Sequence, residues 1–280
     1  MDIIDSPARM REVADELRRA APPLGLVPTM GALHEGHLSL IRQAVSECAA
    51  TVVSIFVNPT QFGPGEDLDT YPRTFQKDLD VCRQEGVAAV YSPAAEKMFA
   101  DGFDTWVEVP SLASGLCGPC RPGHFRGVAT VVTKLFSACK ADRAYFGEKD
   151  FQQLVLIRRM AKDLDLGVEV VACPTVREKD GIAMSSRNVN LQGEERERSL
   201  SLSRGLFKAR KLLEEGEVRS AALIQAAREE LDKARAEVDY VEVVDPETLA
   251  PVVTIKGSCR MVMAAKIGAT HLIDNIPLER

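Results

Sequence analysis

Between residues 24 and 172 short runs rich in β-branched residues alternate with amphipathic stretches of helical length. That rhythm confines the chain to βαβ units around a parallel sheet. Strands are expected at 24–27, 51–57, 87–91, 143–146 and 168–172, and helices near 37–47, 74–85, 128–139 and 151–163. In the last of these helices Leu154, Ile157 and Ala161 recur at spacings of three and four, which puts them on one face able to cover a sheet. After Pro174 the pattern changes. A polar loop at 177–190 leads into helices at 194–214 and 220–235, the first with Leu202, Leu206, Ala209 and Leu213 on one stripe. Strands at 238–244, 252–255 and 260–265 then read as an antiparallel sheet. The expected fold is α/β: a Rossmann-like parallel-sheet domain over 1–175 and a smaller C-terminal α+β domain over 176–280.

Composition narrows the partners. A formal charge of -6 over 280 residues leaves no basic surplus for a nucleic-acid backbone or an anionic membrane surface. An anionic ligand must therefore meet a local cluster. No run approaches the length of a spanning helix, and the first twenty residues are polar, so a cytoplasmic protein is expected. The 7 cysteines are an odd, scattered set in a chain long enough to build its own core, which argues against a disulfide framework. Cys117-Gly118-Pro119-Cys120 has the letters of a thiol-redox site, but Arg121-Pro122-Gly123 follows where an apolar helix would be required.

The most informative segment is Pro28-Thr29-Met30-Gly31-Ala32-Leu33-His34-Glu35-Gly36-His37, which joins the first expected strand to the first expected helix. Ligands of open parallel sheets bind at the carboxyl ends of strands. A helix start there offers N–H groups and a positive dipole end, so phosphate is the natural guest. Two imidazoles three residues apart share one side of a helical turn and can donate to phosphate oxygens. The spacing is one residue short of the His-Glu-x-x-His pattern of zinc proteases. Packing or capping histidines are the plain alternative, although half of the chain's 4 histidines fall within four positions here.

This segment resembles the His-x-Gly-His motif of adenylate-forming nucleotidyltransferases, and in its wider context the pantothenate synthetase (pantoate-β-alanine ligase) family. The resemblance continues through Phe56-Val57-Asn58-Pro59-Thr60-Gln61-Phe62-Gly63, Tyr71-Pro72-Arg73, Arg121-Pro122-Gly123-His124-Phe125-Arg126-Gly127-Val128, Phe146-Gly147-Glu148-Lys149-Asp150 and Met184-Ser185-Ser186-Arg187-Asn188. It implies a ligase that joins pantoate to ATP as a pantoyl adenylate, releases pyrophosphate, and lets β-alanine displace AMP to give pantothenate. Another His-x-Gly-His adenylyltransferase, acting on a phosphorylated acceptor, is the alternative. Such an acceptor would call for basic residues where this chain has Gln61 and Gln153.

The resemblance implies a role for each block. ATP contacts fall on Met30, Gly31, Ala32, Leu33, His34, Glu35, Gly36 and His37, on Gly147, Glu148, Lys149 and Asp150, and on Val176 through its backbone. His37, His34 and Lys149 are the expected catalytic groups, the ammonium being a point charge suited to the α-phosphate. Met184, Ser185, Ser186 and Arg187 resemble a mobile loop that donates to the departing phosphates, with a solvated capping loop as the plain reading. Gln61 and Gln153 are placed against pantoate, with Gln61 also against β-alanine, because a neutral amide meets hydroxyls without repelling a carboxylate. Pro28, Met30 and Phe146 would form the apolar wall. Mg2+ accompanies ATP, held mainly by phosphates and water, with Asp78 beside Lys77 as the one protein carboxylate offered to it. A homodimer is implied by the resemblance alone; strands near 105–109 carry no periodicity that assigns them to an interface.

Overall fold

The computed structural model describes residues 1–66 and 68–280. The strands of the larger sheet are β1 (Asp2–Ile4), β2 (Leu24–Thr29), β3 (Ala50–Ile55), β4 (Ala89–Tyr91), β5 (Arg143–Gly147) and β6 (Glu169–Cys173). All pair in parallel, in the order β1-β4-β3-β2-β5-β6. Without β1 this is the 3-2-1-4-5 order of a doubly wound sheet, whose direction reverses between β2 and β5. The carboxyl ends of those two strands, Thr29 and Gly147, therefore mark the switch point.

The helices are α1 (Pro7–Ala20), α2 (Glu35–Glu47), α3 (Phe75–Gln84), the single turns α4 (Ala95–Met98) and α5 (Pro110–Ala113), α6 (His124–Cys139), α7 (Phe151–Asp163), α8 (Gly193–Glu214) and α9 (Ser220–Lys233). A second sheet, β7 (Glu237–Val244), β8 (Cys259–Ile267) and β9 (Thr270–Leu278), is antiparallel in sequence order. The chain divides into two compact units, Met1–Glu148 with Leu156–Pro174, and Lys149–Val155 with Thr175–Arg280. In the first, Val27, Val53 and Val90 pack with Ile41 and Leu79. In the second, Leu202, Leu206 and Leu223 pack with Met261 and Met263.

Several elements differ from expectation. β1 and α1 are additional; α1 begins where Ser6 accepts from the N–H of Arg9 and Pro7 pre-sets the first turn, and it buries Met10, Val13 and Ala14. Residues 252–255 form no strand. Val252 N–H bonds Val243 and Ile255 N–H bonds Val218, so the segment passes from one partner to another without a ladder. The third strand is β9, joined to β8 by a two-residue turn in which Ile267 faces Thr270. Residues 105–109 also form no strand; Val107 N–H donates to Thr130 Oγ1 at 3.0 Å, and Trp106 lies under Arg126 at 4.7 Å. All seven cysteines are free thiols. Cys117 and Cys120 sit in a run of turns in which Arg121 N–H bonds the Cys117 and Gly118 carbonyls, and among the described residues the element directly before them is the turn α5, not a strand. Among the described residues no helix is long and apolar enough to cross a membrane.

Candidate active site

After Thr29 ends β2, the chain reverses into α2 through Gly31 at φ +83° and Ala32 at φ +50°. The turn is held from the side by Asp78 of α3. Its carboxylate, 3% exposed, accepts from the N–H of Ala32 at 3.0 Å and of Leu33 at 2.9 Å, and from Thr74 Oγ1 at 3.1 Å. A Cβ on residue 31 would lie 3.1 Å from Asp78 Oδ2 and 3.2 Å from Ile55 Cγ2. The positive φ favours glycine here, and the space for a side chain is tight.

His34 caps α2. Its Nδ1 accepts from Gly36 N–H at 3.2 Å, while Nδ1 of His37 accepts from His34 N–H at 3.3 Å, a reciprocal capping box made of two imidazoles. A ring nitrogen that accepts from a backbone N–H carries no proton, so in each neutral ring the proton resides on Nε2. The rings lie 4.1 Å apart. Expectation pictured an open cradle of backbone N–H groups for phosphate. Instead the N–H groups of Ala32, Leu33, His34 and Gly36 all have protein partners, and each ring adds an Nε2–H donor to this end. Capping and ligand donation use different nitrogens of one ring, so the two readings do not compete. The Glu35 carboxylate pairs with Arg42.

Asn58, 1% exposed, caps a 3₁₀ turn, Pro59–Gln61. Its Nδ2 donates to Gln61 Oε1 at 3.0 Å and to the Gly127 carbonyl at 3.2 Å. Gln61 Nε2 in turn reaches Met30 Sδ at 3.2 Å, which brings Gln61 and Met30 together. The Gln61 carbonyl lies 2.8 Å from His124 Nδ1, and His124 Nε2 lies 3.0 Å from Arg121 Nη1. Arg121 forms a two-point ion pair with Glu66 at 2.8 and 2.7 Å. That guanidinium holds the Glu66 carboxyl below the ordinary glutamate range. Pro28 is half-buried at the end of β2, and Phe146 is buried, its ring on Phe136.

In the second unit Lys149 is half-buried, and its Nζ stands 3.9 Å from Asp150 Oδ1, a long pair that leaves the ammonium little neutralised. Its carbonyl accepts from Asn275 Nδ2 at 2.9 Å; Asn275 Oδ1 accepts from Arg260 Nε at 2.7 Å, and Arg260 lies over Phe151 at 4.4 Å. Arg177 clamps Asp274, 2% exposed in its side chain, at 2.7 and 2.9 Å. Val176 carbonyl accepts from Met184 N–H at 2.9 Å, so a short hairpin presents Met184–Arg187. Ser185 Oγ accepts from Arg187 N–H at 3.3 Å and caps the 3₁₀ turn Ser186–Asn190, retaining its own O–H as a donor. Asn188 fixes this turn through Glu178 Oε1 and the Ala183 carbonyl. Gln153 is half-buried in the first turn of α7.

The donor set does not fit a protein-built cation site. Asp78, the carboxylate offered for Mg2+, already serves two N–H groups and a hydroxyl. Among the described residues no group of three or more His, Cys, Asp or Glu side chains is placed to hold a metal ion. Sequence reasoning missed the supporting residues Asn58, Asp78 as loop clamp, Arg121, His124, Arg260, Asp274 and Asn275. Asn58, Arg121 and His124 lie inside blocks that carried the resemblance, whereas Asn275 has only its position in a late, polar-looking strand.

Comparison with known proteins is consistent along the whole chain. The family model described as Pantoate-beta-alanine ligase matches residues 2–277. The chain is 50% identical over 278 residues to a pantothenate synthetase of Sulfurihydrogenibium sp. (strain YO3AOP1), covering 99% of each chain. It is 52% identical to that of Myxococcus xanthus (strain DK1622), covering 98% of this chain and 97% of the relative. The crystal structure of pantothenate synthetase from Thermus thermophilus superposes with a TM-score of 0.92 at 43% identity, covering 99% of both chains. That of pantoate-beta-alanine ligase from Francisella tularensis, complexed with beta-gamma ATP and beta-alanine, gives 0.82 at 33% identity over 99% of this chain and 97% of that one.

Proposed function

The chain belongs to the pantoate-beta-alanine ligase family, and from that premise we infer how its residues divide the work of joining pantoate to β-alanine with ATP. The reaction runs through a pantoyl adenylate and releases pyrophosphate and then AMP; a phosphorylated acceptor is not favoured. The observation that carries the assignment of roles is the imidazole capping box, in which each Nδ1 accepts a backbone N–H so that Nε2 carries the proton. We assign His34 and His37 to the phosphates, with Lys149 countering the charge that grows on the α-phosphate as the carboxylate attacks. Met30–His37 and Gly147–Asp150 flank the nucleotide, and Val176 contacts it through its backbone. Ser185, Ser186 and Arg187, with Met184 beside them, are donors to the β- and γ-phosphates.

Gln61 and Gln153 hold pantoate, and Gln61 then meets β-alanine. Pro28, Met30 and Phe146 face its apolar carbons. Holding the carboxylate in line with the α-phosphorus removes the entropy of a bimolecular encounter, worth about 7–11 kcal/mol of barrier, and no enzyme nucleophile is needed. Magnesium enters as part of the nucleotide, with no step assigned to a protein-held ion. A cytosolic homodimer is the state the family resemblance favours.

The test is pantoate-dependent exchange of pyrophosphate into ATP. Exchange that ignores pantoate, or that responds to a phosphorylated acceptor, would overturn the reading. His37→Ala is expected to lower exchange about 100- to 1000-fold while the protein stays folded; near-normal exchange would remove His37 from the mechanism.

A further inference from the structure

We propose that His124 is a positioning residue for the acceptor acid, locked by the Glu66–Arg121 ion pair and acting through the backbone of Gln61. The proposal rests on the assignment of Gln61 to pantoate. Its evidence is a chain of contacts within the first unit, none of which that assignment uses. Glu66 takes two hydrogen bonds from the Arg121 guanidinium, which leaves Nη1 directed at His124 Nε2 at 3.0 Å. A guanidinium only donates, so Nε2 must be the accepting nitrogen and the proton must lie on Nδ1. Nδ1–H then donates to the Gln61 carbonyl at 2.8 Å. The carboxylate thus fixes the guanidinium, the guanidinium fixes the tautomer, and the tautomer fixes the peptide that carries the acid-binding amide.

The ring has little freedom to do otherwise. His124 is 8% exposed, lies edge-on to Phe125 and occupies the first position of α6. From the other side Asn58 pins the Gln61 carboxamide. Backbone and side chain of Gln61 are therefore held by separate donors. Removing the backbone tether frees the amide to swing, which weakens recognition of the acid without touching the nucleotide.

The experiment compares three variants at His124 by steady-state kinetics and thermal melting. His124→Phe keeps the ring and deletes both nitrogens, so KM for pantoate is expected to rise about 10-fold, the loss of one buried hydrogen bond, with KM for ATP within about twofold of the parent. His124→Asn places an amide N–H where Nδ1 stood and is expected to restore KM for pantoate to within about threefold. His124→Gln reaches the other nitrogen's place and is expected to behave like the phenylalanine variant. If the phenylalanine variant does not fold, Glu66→Gln, which loosens Arg121, is expected to raise KM for pantoate about 2- to 3-fold. Equal shifts in both KM values, a lowered melting temperature with KM for pantoate intact, or failure of the asparagine variant to rescue would each overturn the proposal. Gln61→Ala separates the two levels: if it leaves KM for pantoate unchanged, the assignment of Gln61 itself falls and the role of His124 with it.

Discussion

Replacing Asp78 with asparagine tests whether the residue is a clamp or a metal ligand. The carboxylate accepts from Ala32 N–H at 3.0 Å and Leu33 N–H at 2.9 Å, in a site where it is 3% exposed. Hydrogen bonds to a charged acceptor contribute about 1.5–3 kcal/mol each. Asparagine retains one acceptor and turns an NH₂ group toward the second N–H, so one bond is lost and a buried donor is left unmet. The expected destabilisation is about 3 kcal/mol, offset only in part by the relaxation of Ala32 from its φ of +50°. At about 2–4 °C per kcal/mol the melting temperature should fall by about 10 °C. Pyrophosphate exchange should fall about 100-fold as the His34 ring leaves its place. The dependence on Mg2+ concentration should not move. A variant that melts like the parent but demands more Mg2+ would refute the clamp and make Asp78 a cation ligand.

Asn275→Ala removes the donor to the Lys149 carbonyl and the acceptor of Arg260 Nε; kcat is expected to fall about 10-fold with little change in KM for pantoate, and unchanged turnover would show that the strand does not position Lys149. Arg121→Met probes the acid limb of stability. Because Arg121 depresses the Glu66 carboxyl below its ordinary 4.5, the pair stabilises fully above that value and is lost as pH falls through the lowered one. Unfolding free energies from urea titrations should therefore differ by about 1 kcal/mol at neutral pH and converge as acid protonates Glu66 in the folded protein; a difference that does not shrink as pH falls would mean Arg121 acts through packing alone.

The parallel sheet was readable because its strands are β-branched runs of the right length, and the junction of β2 and α2 because glycines and histidines crowd one strand end. α1 escaped notice because its three buried residues, Met10, Val13 and Ala14, sit among arginines and glutamates, although Ser6-Pro7 is a helix-start signal. β9 looked polar because Asp274 and Asn275 lie in its middle, and their partners, Arg177, Arg260 and Lys149, are far away in sequence. Asp78 illustrates the same limit. A carboxylate near a phosphate loop suggests a cation, and only the fold shows that two peptide N–H groups reach it first. The capping box was similarly out of reach, since spacing places both rings on one side of a turn but does not say which nitrogen each one spends.

At Gly127 the helix α6 rests on the turn that bears Gln61 so closely that a methyl group there would come within 2.3 Å of the Thr60 carbonyl. Main chain meets main chain, with no side chain between them to be lengthened or trimmed. If that turn seats the acid as proposed, its place against the helix is fixed by backbone contact rather than by a side chain that could be exchanged. On the roles proposed above, Pro28, Met30 and Phe146 would then be the positions to vary in redirecting the enzyme to unnatural acids.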